Sequence, residues 1–181
     1  MYQLKNYLLS MRSHWMINQS LYEAVQESMP DIAKFRASQG QLDLKKTAVQ
    51  DHVQKIFPDI YRVPLFRRSF CKMLVEEIGH MRQEIPFEPN PGEDELRQIP
   101  EIVLAEHVPE LQRSMWFVVK NVLNPIFWAL YQRNCADIGS IQIANYNLQD
   151  KKQGAWHHDS SADISVVVPL NTGEYEGGGT E

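Results

Sequence analysis

Two histidines and an aspartate stand side by side at residues 157 to 159, within the segment AWHHDSSADISVVVPL. Because side chains alternate along an extended strand, we expect His157 and Asp159 on one side and His158 on the other. An imidazole and a carboxylate on one side suit a divalent first-row metal, and two histidines with one carboxylate leave positions open for a cosubstrate. The pattern therefore indicates two metal ligands that need a third. The alternative is a polar strand end, in which Asp159 accepts a hydrogen bond from a neighbouring imidazole or amide.

The segments around these residues are the most strand-like part of the chain. SIQIANYNL alternates between apolar and polar residues, DISVVVPL is a branched apolar run typical of a core strand, and NTGEYEGGGTE contains a turn followed by glycines. By alternation, Tyr146 shares a face with Gln142 and Ala144. One interpretation of Tyr146 is a half-buried core tyrosine.

Helical patterns fill most of the preceding sequence. SLYEAVQESM and PDIAKFRASQG are predicted as helices separated by Pro30, and LDLKKTAVQDHVQKIF as a third helix that Pro58 stops. Ser69 is the predicted N-cap of a helix over FCKMLVEEIGHM. A further helix is predicted over VPELQRSMWFVVKNVLNPIFWALY, with Pro125 ending or kinking it. Helices first and strands later indicate an α+β fold whose sheet is only partly present.

Composition and charge limit the classes of function. The 181 residues are 43% hydrophobic and carry a net charge of -5, which argues against a nucleic-acid partner recognised mainly by charge. The sequence contains no run of about 18 apolar residues, and its start does not resemble a signal peptide. We therefore expect a soluble chain with no membrane segment, and the cytoplasm is favoured over the endoplasmic reticulum. Cys71 and Cys135 are too isolated for a disulfide framework or a cysteine-based zinc site.

Four blocks resemble, in the same order and with similar spacing, the iron- and 2-oxoglutarate-dependent dioxygenase domain of procollagen lysyl hydroxylases. They are PDIYRVPLFRRSFCKMLVEEIGHM, IQIANYNL, WHHDSSADISVVVPLN and YEGGGTE. The resemblance covers residues 58 to 181 and extends more loosely to the prolyl 4-hydroxylases. It implies a helical N-terminal extension over residues 1 to 57, followed by the N-terminal part of an oxygenase domain. The implied fold is α+β, with helices packed on an incomplete double-stranded β-helix, or jelly roll.

The resemblance also implies roles for individual residues. His157 and Asp159 match the first two Fe(II) ligands, His158 matches a variable position, and Tyr146 matches the tyrosine that contacts 2-oxoglutarate. Glycines 177 to 179 match the turn before the next strand of the double-stranded β-helix. The second metal histidine and the basic residue that pairs with 2-oxoglutarate follow that turn in the family, and here they would lie beyond Glu181. We therefore expect the 181-residue chain by itself to be inactive.

For the complete protein, the resemblance implies hydroxylation of a peptidyl lysine or proline in a peptide or protein substrate. Fe(II) and ascorbate would be the cofactors and 2-oxoglutarate the cosubstrate. Two alternatives remain open: a non-catalytic binding or scaffold protein that retains part of the oxygenase fold, and a zinc hydrolase that uses the adjacent histidines. The sequence predicts no oligomeric state.

Overall fold

A computed structural model describes residues 13–38, 47–89, 91, 98–147, 154, 157–159 and 161–176. The regular elements among these residues are helices and small antiparallel sheets. This mixture agrees with the predicted α+β class. The helices are α1 (Gln19–Ser38), α2 (Arg68–Glu84), α3 (Leu104–His107), α4 (Pro109–Val118) and α5 (Asn124–Tyr131). The strands are β1 (Gln54–Phe57), β2 (Ile60–Arg62), β3 (Glu88–Pro89), β4 (Pro100–Val103) and β5 (Gln142–Ala144).

The chain divides into two compact units. We call one the helical unit, whose described residues lie in 13–70 and 113–137, and the other the sheet unit, whose described residues lie in 71–112 and 138–176. The boundary predicted between residues 57 and 58 falls at the turn between β1 and β2. The division into residues 1 to 57 and 58 to 181 stays a prediction.

Helix α1 in the helical unit is continuous, whereas the sequence predicted two helices separated at Pro30. Asn18 caps it, because its side-chain oxygen accepts a hydrogen bond from the Leu21 N–H at 3.2 Å. The proline removes one backbone hydrogen bond, at a cost of about 3 kcal/mol. Burial of the apolar stripe outweighs that cost, since each buried aliphatic side chain contributes about 1.5 to 3 kcal/mol. The buried apolar residues of the stripe are Leu21, Ala24, Val25, Ile32 and Phe35.

The prediction of a helix over residues 42 to 57 is wrong in its described part. Ala48–His52 forms a 3₁₀ turn, and β1 then pairs with β2 as an antiparallel hairpin. Asp59 takes up a positive φ of 60° in the turn, a conformation that aspartate tolerates better than most residues. The Tyr131 hydroxyl donates a hydrogen bond to the Asp59 carbonyl at 2.9 Å and thereby supports the turn.

The helix predicted before and after Pro125 is confirmed as a continuous helical path from Pro109 to Tyr131, made of α4, a π-helical turn and α5. A π-helical turn at Val119–Leu123 joins α4 to α5, and the Asn124 N–H donates to the Val119 carbonyl. The Asn121 side-chain amide donates to the Phe117 carbonyl at 2.8 Å, so a side chain supplies a hydrogen bond within this turn. The altered hydrogen-bond register accommodates a proline, which has no N–H, without ending the helical path.

Helix α2 confirms the predicted amphipathic pattern, because Phe70, Leu74 and Met81 are buried at helical spacing. It begins at Arg68, so Ser69 lies inside the first turn and is not the N-cap. None of the helices in the described part of the chain is both long and apolar enough to cross a membrane.

The three-stranded sheet of the sheet unit has the order β3-β4-β5, and both pairs are antiparallel. In the centre of the sheet Ile102 faces Ile143 and is fully buried. The predicted strand over IQIANYNL is confirmed only for Gln142–Ala144, although the Asn145 N–H still donates to the Pro100 carbonyl at 2.9 Å. Tyr146 therefore lies two residues beyond the end of an ordered strand.

The predicted core strand over DISVVVPL is not present: among residues 161–176, all of which are described, none belongs to a strand. Val166 and Val167 are 46% and 69% exposed. Branched residues favour strands mainly through packing and pairing with neighbours, and the sheet of the described residues provides no pairing for this run. The jelly roll implied by the resemblance is not confirmed.

Candidate metal site

His157, His158 and Asp159 lie on the surface of the sheet unit in an irregular segment, not in a strand. His157 Nε2 is 3.3 Å from Asp159 Oδ1, and the two side chains are 38% and 50% exposed. The two side chains therefore lie close together although the predicted strand is not present, and their role as metal ligands stays a prediction. His158 is also exposed.

The Asp159 carboxylate has a second contact through its other oxygen. The Ser165 hydroxyl donates a hydrogen bond to Asp159 Oδ2. The backbone supports this arrangement, because the Ala162 N–H donates to the Asp159 carbonyl at 2.9 Å and closes a turn. One carboxylate oxygen thus faces His157 while Ser165 holds the other.

The donor atoms of this pair fit a shared metal ion. Two neighbouring ligands of one octahedral ion, each about 2.1 Å from it, lie about 3 Å apart. The observed 3.3 Å is close to that separation. The same distance also agrees with a weak contact between an imidazole and a carboxylate, which was the alternative interpretation of the sequence.

A third ligand is not present among the described side chains. They contain no group of three or more His, Cys, Asp or Glu residues able to hold a metal ion. His52 ends a 3₁₀ turn, His80 lies on α2 and His107 ends α3. His107 Nδ1 is 3.1 Å from the carbonyl of Val103, the last residue of β4, so this histidine has a backbone contact just before its own helix.

Tyr146 lies two residues beyond β5 and exposes 51% of its surface. A Cβ atom placed on Gly154 would be 3.4 Å from the Tyr146 hydroxyl and 3.4 Å from Ile99 Cδ1. Burial, and to a smaller extent the nearby Glu101 carboxylate, raises the pKa of Tyr146 above its usual value. The hydroxyl therefore stays protonated at neutral pH and can donate a hydrogen bond.

The structure brings His157 and Asp159 together and places the Tyr146 hydroxyl beside Gly154, three residues before His157. Sequence reasoning missed Ser165 and Gly154. A signal for Ser165 was present, because it is the polar residue inside an otherwise apolar run. Glycines 177 to 179 lie outside the described residues.

Comparison with known proteins gives one informative relative. No protein-family profile matches the chain. The chain is 28% identical over 134 residues to a protein of Acanthamoeba polyphaga mimivirus named procollagen lysyl hydroxylase and glycosyltransferase. The alignment covers 70% of this chain and 15% of the viral protein, so the chain spans a small fraction of its relative's length. The chain is therefore distantly related to a protein named as a lysyl hydroxylase, and this similarity supports a hydroxylase-like relationship.

Proposed function

We propose that the protein to which this chain belongs is an Fe(II)- and 2-oxoglutarate-dependent dioxygenase that hydroxylates a peptidyl side chain. The observation that carries the proposal is the His157–Asp159 pair, whose donor atoms are 3.3 Å apart. The four sequence blocks that resemble lysyl hydroxylases support the same conclusion. The name of the viral relative, to which the chain is 28% identical, agrees with a hydroxylase.

In this proposal His157 and Asp159 provide two of the protein's metal ligands. His157 would offer the ring nitrogen Nε2, and Asp159 would offer Oδ1 because Ser165 binds Oδ2. A hydrogen bond to a ligating carboxylate fixes its orientation, and such outer contacts tune metal affinity. Bound iron would supply oxygen activation, which couples decarboxylation of 2-oxoglutarate to succinate with hydroxylation of a substrate C–H bond.

Tyr146 is proposed to bind the cosubstrate. Its phenolic hydroxyl is protonated at neutral pH, so it can donate a hydrogen bond to a carboxylate of 2-oxoglutarate. Gly154 lies next to this hydroxyl, and a Cβ atom at position 154 would be in van der Waals contact with both Tyr146 and Ile99. A small residue at position 154 therefore suits a tyrosine that must contact a bound molecule.

The proposed substrate is a lysyl or prolyl side chain of a peptide or protein. Lysine is the first candidate, because the viral relative is named a procollagen lysyl hydroxylase. Ascorbate is the proposed reductant, on the basis of the resemblance to this family. The complete protein would select the substrate residues that flank the modified lysine or proline.

The test is succinate release by the complete protein with a library of lysyl and prolyl peptides. We expect succinate only when Fe(II) and 2-oxoglutarate are both present, and a mass gain of one oxygen atom on the modified peptide. Asp159→Ala is expected to remove both signals, and His158→Ala serves as the matched control on the neighbouring exposed residue. Hydroxylation that continues without 2-oxoglutarate would contradict the proposed reaction.

A non-catalytic binding or scaffold protein is the second candidate. The exposure of the His157–Asp159 pair favours it, because a polar surface cluster would have the same geometry. The two candidates differ in metal dependence. A binding protein would give no succinate, and its partner binding would be unchanged by a chelator.

A further inference from the structure

The helical unit contains a cavity of about 300 Å³ that none of the preceding proposals uses. It lies between α1, the π-helical turn with the start of α5, and the segment that follows α5. Its volume is at the lower end of the range found for small-molecule sites, which begins at about 300 Å³. The cavity is therefore large enough for a small organic molecule.

Two cationic side chains line this cavity, Arg36 from α1 and Lys120 from the π-helical turn. Each is placed over an aromatic ring: the Arg36 guanidinium carbon is 5.2 Å from the Trp128 ring centre, and Lys120 Nζ is 5.0 Å from the Trp116 ring centre. Stacking on these rings reduces the number of positions that each cation adopts. Both side chains are exposed to solvent, and these contacts favour positions of the two charges next to the cavity.

The described part of the lining carries positive charge without a compensating carboxylate. None of the described residues that line the cavity is an aspartate or a glutamate. Neither Arg36 nor Lys120 forms an ion pair with any carboxylate in the described part of the chain. Two positive charges in one concave site attract an anion, and arginine in particular suits the planar or tetrahedral oxygens of carboxylates and phosphates.

The remaining walls are apolar on one side and held by a pair of hydrogen bonds on the other. Met29, Ile32 and Pro125 supply the apolar surface. On the other side Asn124 Nδ2 donates to the Cys135 carbonyl at 3.2 Å, and the Cys135 N–H donates to Asn124 Oδ1 at 2.8 Å. This reciprocal pairing fixes the segment after α5 against the start of α5, so the wall is a built feature.

The backbone that carries Lys120 has an unusual helical conformation. The π-helical turn Val119–Leu123 carries Lys120, and π turns of this kind occur frequently at functional sites. The turn inserts an extra residue before Pro125 and changes the direction in which position 120 projects from the helix. The cavity therefore combines three features. They are the π-helical turn, the two cations placed over aromatic rings, and the wall held by the Asn124–Cys135 hydrogen bonds.

We propose that this cavity binds a small organic anion, in which phosphate or carboxylate oxygens contact Arg36 and Lys120 and an apolar group lies against Met29, Ile32 and Pro125. The proposal stands independently of the dioxygenase proposal, because it involves neither His157 nor Asp159. Phosphate monoesters and carboxylates both present anionic oxygen atoms to the two cations. The experiment below distinguishes these two classes of ligand.

Isothermal titration calorimetry of the 181-residue chain with phenyl phosphate, benzoate and inorganic phosphate, at constant ionic strength, tests this proposal. We expect saturable binding of phenyl phosphate or benzoate that is tighter than binding of inorganic phosphate, because only the first two carry an apolar group. The indole N–H resonances of Trp116 and Trp128 are expected to shift in the same titration. Phenyl phosphate as the tightest ligand would identify a phosphate monoester site, and benzoate a carboxylate site.

The variants Arg36→Gln and Lys120→Gln are each expected to weaken binding about tenfold, since each removes a charge-assisted contact. Lys34→Gln is the matched control, because it removes the same charge from an exposed position of α1 outside the cavity. Met29→Glu is a further variant that keeps both cations and introduces a negative charge at the cavity, and it is expected to abolish binding.

An equal loss in Lys34→Gln and Arg36→Gln would overturn the proposal, because it would indicate non-specific attraction to a basic surface. Absence of saturable binding for all three probes would overturn it as well. Unchanged binding by Met29→Glu would show that the ligand sits elsewhere. Circular dichroism of each variant checks that its secondary structure is retained, so that a loss of binding is not caused by unfolding.

Discussion

Replacing Ser165 by alanine is expected to weaken metal binding without unfolding the protein. The Ser165 hydroxyl donates to Asp159 Oδ2, and the alanine variant removes that donor alone. Without it the carboxylate is free to rotate away from the position in which Oδ1 lies 3.3 Å from His157 Nε2. Metal binding would then have to bring the Asp159 carboxylate back next to His157, which lowers the affinity for the metal.

The size of the effect follows from the exposure of the carboxylate. A hydrogen bond to a charged group contributes about 1.5 to 3 kcal/mol where it is shielded from water. Asp159 is 50% exposed, so water replaces part of the lost contact and the solvent screens its charge. We therefore expect a loss of about 0.5 to 1.4 kcal/mol, which corresponds to a dissociation constant about 2 to 10 times higher.

The assay is Mn(II) titration followed by electron paramagnetic resonance, with Mn(II) replacing the oxygen-sensitive Fe(II). Asp159→Ala gives the reference for loss of a ligand, and Ser161→Ala is the matched control because Ser161 is an exposed serine in the same turn. Equal Mn(II) affinities for Ser165→Ala and Ser161→Ala would refute the positioning role of Ser165. A large fall in melting temperature for Ser165→Ala would refute the expectation that its effect is local.

Three further predictions concern the reaction and the core. His157→Ala and Asp159→Ala should each abolish 2-oxoglutarate turnover by the complete protein, whereas His158→Ala should retain substantial activity; equal losses in a succinate assay would contradict the ligand assignment. Tyr146→Phe should raise the apparent KM for 2-oxoglutarate more than it lowers kcat, since one hydrogen bond of about 0.5 to 3 kcal/mol is removed. Phe70→Ala should lower the free energy of unfolding by about 3 to 5 kcal/mol in denaturant titration, because Phe70 is fully buried and packs edge-on to a tryptophan at 5.4 Å. A loss below about 1 kcal/mol would show that the surrounding core rearranges.

Local periodicity predicted the amphipathic elements well. Helix α2 follows the spacing of Phe70, Leu74 and Met81, since a stripe with helical period can be buried only if the segment is helical. The same reasoning failed for residues 48–57. There Val49 is buried in a 3₁₀ turn, and Ile56 is exposed in a strand that pairs with β2. A helix would have satisfied the backbone of this segment by hydrogen bonds within the segment. In the structure β1 forms its backbone hydrogen bonds with β2 instead.

Proline positions show the limit of local rules in another way. Pro30 was expected to separate two helices, yet α1 continues through it because its neighbours bury an apolar stripe. Pro125 was expected to end or kink a helix; the helical path does not end there, and a π turn lies immediately before it. In both cases the cost of a missing N–H was predictable, whereas the packing energy that offsets it was not.

The sequence by itself determined which residues of this protein could form a metal pair, because two ligands separated by one residue can approach each other whatever lies around them. Tertiary structure alone decided that Ser165 reaches back to Asp159 and that the run around Val167 forms no strand. It also decided that Arg36 and Lys120 line one cavity. Contacts between residues distant in the chain depend on how the intervening elements pack, and the local sequence around each residue does not contain that information.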